Sequence, residues 1–197
     1  MTRIERVCVF CGSRPGARPE YMEAAKTLGV LLAARKCTLV YGGASVGVMR
    51  AVADAALDAG GEVIGVIPRA LVEKEVANLR LTDLRVVATM HERKALMADL
   101  SDAVIAMPGG FGTFDELFEI LTWAQLGMHQ KPIGLLNVAG FYDPMVAFLD
   151  HVVREGFVGE DNMRLFLMRE TGAELLDALA AHEPPPLQTK WIDKEEV

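Results

Sequence analysis

A three-layer α/β fold, with helices on both faces of a doubly wound parallel sheet, is predicted by three features of this 197-residue chain. Short runs that are apolar at nearly every position alternate with longer stretches whose apolar residues recur at helical spacing. Strands apolar on both sides belong to a parallel sheet covered on both faces, whereas a half-exposed antiparallel sheet would alternate polar and apolar positions. Several of the runs also end in glycine-rich turns that lead into the next helical stretch, which is the βα unit of a wound sheet.

The elements follow in order. Val7–Phe10 reads as a strand, followed by the loop Gly12-Ser-Arg-Pro-Gly16. Pro19 to about Ala34 is a helix with Tyr21, Ala24, Ala25, Leu28, Leu31 and Leu32 on its apolar stripe, and proline suits its first position. Thr38–Tyr41 is the second strand, closed by Gly42-Gly43, with a helix from about Gly47 to Ala59. Glu62–Ile67 is the third strand. Pro68–Asp83 is less regular, with a helical turn around Leu71–Val76. Leu84–Ala88 is the fourth strand. The helix from Met90 to about Leu100 is opened by Thr89 and Glu92, which have the spacing of a capping box. A strand at 103–107, a helix at about 114–126 and a strand at Pro132–Leu136 come next. Phe141 to about Arg154 is helical, Leu165–Met168 a last strand and Gly172–Ala181 a last helix. Pro184-Pro-Pro186 ends that helix. Residues 1–183 therefore read as one domain and residues 184–197 as a polar tail.

Composition narrows the partners. Net charge is −7, so no basic footprint for nucleic acid is visible, and an anionic ligand must be captured by a local cluster. No run of about 18 apolar residues exists to span a membrane, and the N-terminus lacks a signal peptide's apolar core, so a cytoplasmic protein is expected. Cys8 and Cys11 form a C-x-x-C. They fall at the end of a strand, where residues three apart point to opposite faces, and Cys37 stands alone, so all three read as buried structural thiols. His91, His129, His151 and His182 have no ligand spacing, and no metal site is expected. There is no G-x-G-x-x-G after the first strand, no G-x-x-x-x-G-K-[ST] and no G-x-S-x-G, so nicotinamide cofactors, P-loop ATP hydrolysis and hydrolase-type acyl transfer lack support.

Two segments carry chemistry. Pro108-Gly-Gly-Phe-Gly-Thr-Phe-Asp-Glu116 joins a strand to a helix, and Gly109, Gly110 and Gly112 let backbone approach a ligand closely. Free N–H groups at a helix N-terminus, with the helix dipole behind them, favour a phosphate. Glu116 has two readings: with Thr113 it has capping-box spacing, or it stabilises positive charge developing beside the phosphate, as in cleavage of an N-glycosidic bond. Met90-His-Glu-Arg-Lys94 is the second segment. Arg93 shares a helix face with Leu96, Met97 and Leu100, so it turns inward and must meet either a ligand anion or one of Asp99, Asp102 and Glu116. Gly42-Gly43, and Gly12 with Ser13, are further strand-end turns that could touch a ligand or serve only tight packing.

Both segments, at their separation, resemble the motifs of the LONELY GUY family, cytokinin riboside 5′-monophosphate phosphoribohydrolases once labelled lysine decarboxylases. The resemblance runs from Val7 to about Thr171. It implies a homodimer of Rossmann-like subunits that hydrolyse N6-modified AMP, and in many bacterial members AMP, to free base and ribose 5-phosphate without a cofactor. Carried over by position, it implies that Arg93 and Glu116 are the catalytic pair. It implies that Lys94 contacts substrate, that Gly109, Gly110, Phe111, Gly112 and Thr113 hold the phosphate, and that Glu75 and Thr122 are further contacts. Met90 opens the second motif. Phe111 stands where tyrosine is commoner, and Asp115 where the plant members have glutamate. Two other classes share these motifs: a nucleotide sensor or carrier that binds without cleaving, and a hydrolase for a different 5′-mononucleotide.

Overall fold

The computed structural model describes residues 4–74 and 77–183. They form one seven-stranded sheet in the order β4-β3-β2-β1-β5-β6-β7, with parallel pairing throughout. Its strands are β1 (Arg6–Phe10), β2 (Thr38–Tyr41), β3 (Val63–Pro68), β4 (Asp83–Val87), β5 (Ala103–Ala106), β6 (Ile133–Leu136) and β7 (Phe166–Arg169). The helices are α1 (Pro19–Ala34), α2 (Gly47–Asp58), the single turn α3 (Arg69–Val72), α4 (Met90–Asp99), α5 (Phe111–Gln125), α6 (Asp143–Arg154) and α7 (Gly172–Ala180). The doubly wound α/β fold is the one predicted.

Side-chain alternation divides the sheet between two cores. Val7, Val9 and Cys11 face α1, α2 and α7 through Leu28, Leu32, Val52 and Leu175. Cys8 and Phe10 face α4, α5 and the start of α6 through Met97, Leu117, Ile120 and Tyr142. Cys8 and Cys11 thus lie in opposite layers, and with Cys37 they are buried free thiols. Burial pushes the Cys8 and Cys11 thiols well above the ordinary range. Every residue of β5 and β6 is buried, as central parallel strands should be. The edge strand β4 is only half-buried and carries the Asp83–Arg85 pair at 2.9 Å.

Most element ends fall within one residue of the sequence reading, and the differences include the following. α5 begins at Phe111 and not near residue 114, so part of the glycine turn is already helix. α6 begins at Asp143, because a 3₁₀ turn at Val138–Gly140 intervenes, with Ala139 at φ 52°. The helical turn expected around Leu71–Val76 is α3, two residues earlier at its start. β7 runs one residue further than expected, to Arg169. The tail at 184–197 lies outside the described residues.

The strand order reverses between β1 and β5. In such sheets ligands bind outside the carboxyl ends of the strands, where the order reverses and the loops part. The loops after β1 and β5 are Gly12–Gly16 and Met107–Gly110, and both segments singled out in the sequence lie at this end of the sheet.

Candidate active site

The β1 and β5 loops meet backbone to backbone. Met107 N–H donates to Phe10 O at 2.8 Å and Gly12 N–H to Pro108 O at 3.1 Å. A Cβ on Gly12 would stand 3.2 Å from Gly109 Cα, and one on Gly109 would run into the Thr113 side chain. Gly109 is therefore a packing glycine. Gly110 and Gly112 differ: a Cβ on either would meet nothing within 4 Å, so both border open space. A cleft of about 490 Å³ lies there, lined by Ser13, Arg14, Tyr21, Val48, Phe141 and the segment Pro108–Phe111, among others. Phe111 is 96% exposed at its edge.

Gly110 is the N-cap of α5, and no side chain caps this helix. Phe114 N–H is bonded back into the helix, to Gly110 O at 3.1 Å, and the N–H groups of Phe111, Gly112 and Thr113 precede it. Free donors at a helix N-terminus beside an open cleft are suited to an anion. The capping box, one of the two readings open for Thr113 and Glu116, does not form. Thr113 lies inside the helix with its side chain buried against Gly109, and the Glu116 carboxylate goes elsewhere.

Glu116 goes to Arg93. Arg93 Nη1 donates to Glu116 Oε1 at 2.5 Å, and both side chains are more than nine-tenths buried. Arg93 Nε donates to Val66 O at the end of β3, at 3.1 Å. A Cβ on Gly42 would occupy the space of the guanidinium, so the glycine at the end of β2 makes room for Arg93. Gly43, at φ 72°, turns the chain against Val66 and Ile67. β2 and β3 thus position one arginine between them. Of the internal partners open to Arg93, Asp102 is used otherwise, accepting the Glu5 and Arg6 N–H groups at 2.9 Å each.

Burial pushes the Glu116 carboxyl above its ordinary value and the negative Asp115 adds to this, while Arg93 opposes it. Among the described residues no buried side-chain nitrogen or oxygen lacks a partner, and the partner given to Glu116 is Arg93 on Oε1.

Lys94, also buried, reaches two carboxylates on α5: Asp115 Oδ2 at 3.1 Å and Glu119 Oε1 at 2.9 Å. At this junction of α4 and α5 two cations face three carboxylates. α4 itself is capped as expected, Thr89 Oγ1 accepting Glu92 N–H at 3.1 Å; the return bond from Glu92 reaches Ala88 N–H at 2.8 Å.

The fold brings Ser13, Gly109, Gly110 and Phe111 to the cleft, with Gly112 and Thr113 in the same helix turn. It brings Arg93, Glu116 and Gly42 together, with Lys94 beside them on α4; none of these four lines the cleft itself. Met90 is 47% exposed at the start of α4. Thr122 is exposed on α5, its hydroxyl donating to Phe118 O at 2.7 Å, about 18 Å along the axis from Gly110 at 1.5 Å per residue. This chain alone does not bring Thr122 to the cleft. Glu75 lies outside the described residues. Sequence reasoning passed over Arg14, Tyr21, Val48 and Phe141; only the reversal between β1 and β5, which sets the first loop against the fifth, brings them to one place. Among the described residues no group of three or more His, Cys, Asp or Glu is placed to hold a metal ion.

Residues 49–179 match the family model described as "Possible lysine decarboxylase". The curated relatives include a cytokinin riboside 5′-monophosphate phosphoribohydrolase of Oryza sativa subsp. japonica, 50% identical over 93% of this chain and 76% of its own length. Another, of Arabidopsis thaliana, is 47% identical over 93% of this chain and 84% of its own. Among solved structures, a molybdenum cofactor binding protein from Rippkaea orientalis superposes with a TM-score of 0.70 at 23% identity, covering 92% of this chain and 98% of that one. At that identity the likeness is one of fold alone.

Proposed function

The chain belongs to the family of the cytokinin riboside 5′-monophosphate phosphoribohydrolases, and from that premise we propose that it hydrolyses the N-glycosidic bond of a purine nucleoside 5′-monophosphate. The products are the free base and ribose 5-phosphate; the substrates are N6-modified AMP and AMP itself. The observation that carries this reading is the buried Arg93–Glu116 pair set under two turns of helix from the uncapped start of α5. One helix then offers N–H donors to the phosphate at its first turn and a carboxylate to the sugar further along.

The free amides of α5 take the 5′-phosphate, and this remote binding energy orients the ribose. As the bond from C1′ to the base nitrogen breaks, the electron pair leaves with the base and the sugar becomes oxocarbenium-like. Glu116, held through Oε1 by Arg93, presents Oε2 to that centre, stabilises its charge and accepts a proton from the attacking water. Water supplies the hydroxyl at C1′, and the proton ends on the base. The excess of carboxylates around Lys94 suits a cationic transition state and disfavours the further negative charge of a di- or triphosphate. No step calls for a cofactor.

A homodimer completes this reading. Phe111, Met90 and Phe118 are 96%, 47% and 39% exposed along α4 and α5, and a second copy covering them would also enclose Thr122. No helix among the described residues is long and apolar enough to cross a membrane, and three free buried thiols suit a reducing compartment such as the cytoplasm.

The test is a panel of AMP, N6-isopentenyl-AMP, adenosine, the N6-modified riboside and ATP, scored for free base and ribose 5-phosphate. The monophosphates should turn over and the others should be poor. Losing two charge-assisted bonds to phosphate corresponds to ~10²–10⁴-fold in kcat/KM. Comparable rates on the ribosides would sink the reading, and tight binding of AMP with no free base would leave a nucleotide carrier.

A further inference from the structure

We propose that Arg14, in the loop after β1, is the cation that pairs with the substrate's 5′-phosphate and so selects nucleotide over nucleoside; this rests on the hydrolase reading above. A phosphate dianion held only by amides would leave much of its charge uncompensated, and the arginine and lysine of the family motif are already engaged. Arg93 is given to Glu116 and Val66 O, and Lys94 to Asp115 and Glu119. The nearby arginines are engaged too: Arg18 donates to Ala139 O at 3.3 Å and Arg50 pairs with Asp54 at 3.1 Å.

Arg14 differs on each count. It lines the same cleft as Gly109, Gly110 and Phe111, is exposed, and has no ion-pair partner among the described residues. Its backbone is held from two sides. Gly12 is bonded to Pro108 O at 3.1 Å and receives Met49 N–H at 3.2 Å, and a Cβ on Gly47 would collide with the Ser13–Arg14 peptide. The loop is therefore wedged between the N-terminal ends of α2 and α5. Neither helix has a side-chain cap, so Arg14 projects from a loop at which two positive helix ends converge. A planar guanidinium there can meet two phosphate oxygens with two parallel N–H bonds, a fork geometry that an ammonium lacks.

Arg14→Ala should raise KM for AMP ~10- to 100-fold, the equivalent of one or two charge-assisted bonds, with a smaller loss in kcat. Product inhibition by ribose 5-phosphate should weaken in step, inhibition by adenosine should stay as in the parent enzyme, and Arg14→Lys should recover part of the loss. Because the side chain is exposed, thermal midpoints of both variants should match the parent, separating a binding defect from misfolding. KM and ribose 5-phosphate inhibition within about twofold of the parent would overturn the assignment, as would equal weakening toward adenosine. If the parent protein releases no base from any monophosphate, the hydrolase reading fails by itself. Calorimetric titration of AMP into parent and Arg14→Ala then decides the phosphate role, equal affinities overturning it.

Discussion

Ionising Glu116 costs the fold some stability. Its carboxyl is raised above the ordinary 4.5, first by burial and then by Asp115, with Arg93 pulling the other way. A group raised in the folded state contributes stability that is fully present below its unfolded value and lost as pH rises through the folded one, so the working anion is the less stable form. Two predictions belong at this scale. Glu116→Gln keeps the shape and removes the charge, so hydrolysis should fall ~10²-fold or more while AMP binding survives; near-normal turnover would reduce Glu116 to a structural partner of Arg93. Activity should also fail on acidification at a pH above 4.5, and Asp115→Asn, which removes a charge that raises Glu116, should move that acid limb of kcat/KM downward. A limb that stays put in Asp115→Asn would mean that another group titrates. Arg93→Ala is a poorer probe, because an uncompensated buried carboxylate costs about 3–5 kcal/mol and can unfold the chain.

α5 places the site, and its glycines divide the work. Gly109 packs against Thr113 and Gly12, whereas Gly110 borders open cleft at φ −105° and ψ −155°, a conformation open to any residue. Gly110→Ala should cost no more than about 1 kcal/mol, glycine being the better N-cap but the added methyl meeting nothing. It should nonetheless raise KM for the monophosphate by putting a methyl where the ligand approaches. Gly109→Ala should lower the thermal midpoint, because the added methyl displaces Thr113; at about 2–4 °C per kcal/mol for a domain of this size, the two variants are readily told apart. If Gly110→Ala binds and cleaves AMP like the parent, the phosphate does not sit at this helix end. Gly42 has a different role, leaving room for the Arg93 guanidinium that its own Cβ would displace.

The molecule as a whole carries net charge −7, so an anionic substrate is drawn in by the local geometry of one cleft against the global field. The exposed Phe111, Met90 and Phe118 predict a dimer at micromolar concentration, at twice the 21.4 kDa subunit mass by light scattering. A monomer would leave Thr122 without a site to serve. A charge introduced on that surface, as in Phe118→Glu, should give monomers and reduce turnover together; monomers with full activity would show that each subunit's site is complete.

The sequence by itself determined the α/β class, the order of nearly all strands and helices, and the two segments that supply the Arg93–Glu116 pair. These follow from local physics: apolar runs too short for helices, amphipathic stretches, and glycine where a strand must turn into a helix. It could not decide between Glu116 as a cap and Glu116 as a site residue, because Thr113 and Glu116 have the spacing of both. Tertiary structure removed the cap by starting α5 at Phe111, which puts Thr113 inside the helix and turns Glu116 toward Arg93. It likewise chose Glu116 over Asp102 as the arginine's partner, revealed Gly42 as space for a guanidinium, and set Arg14 opposite the glycine turn. Each of these depends on which strands are neighbours. The reversal of order between β1 and β5 brings together residues about a hundred positions apart, and no periodicity within a single element records it.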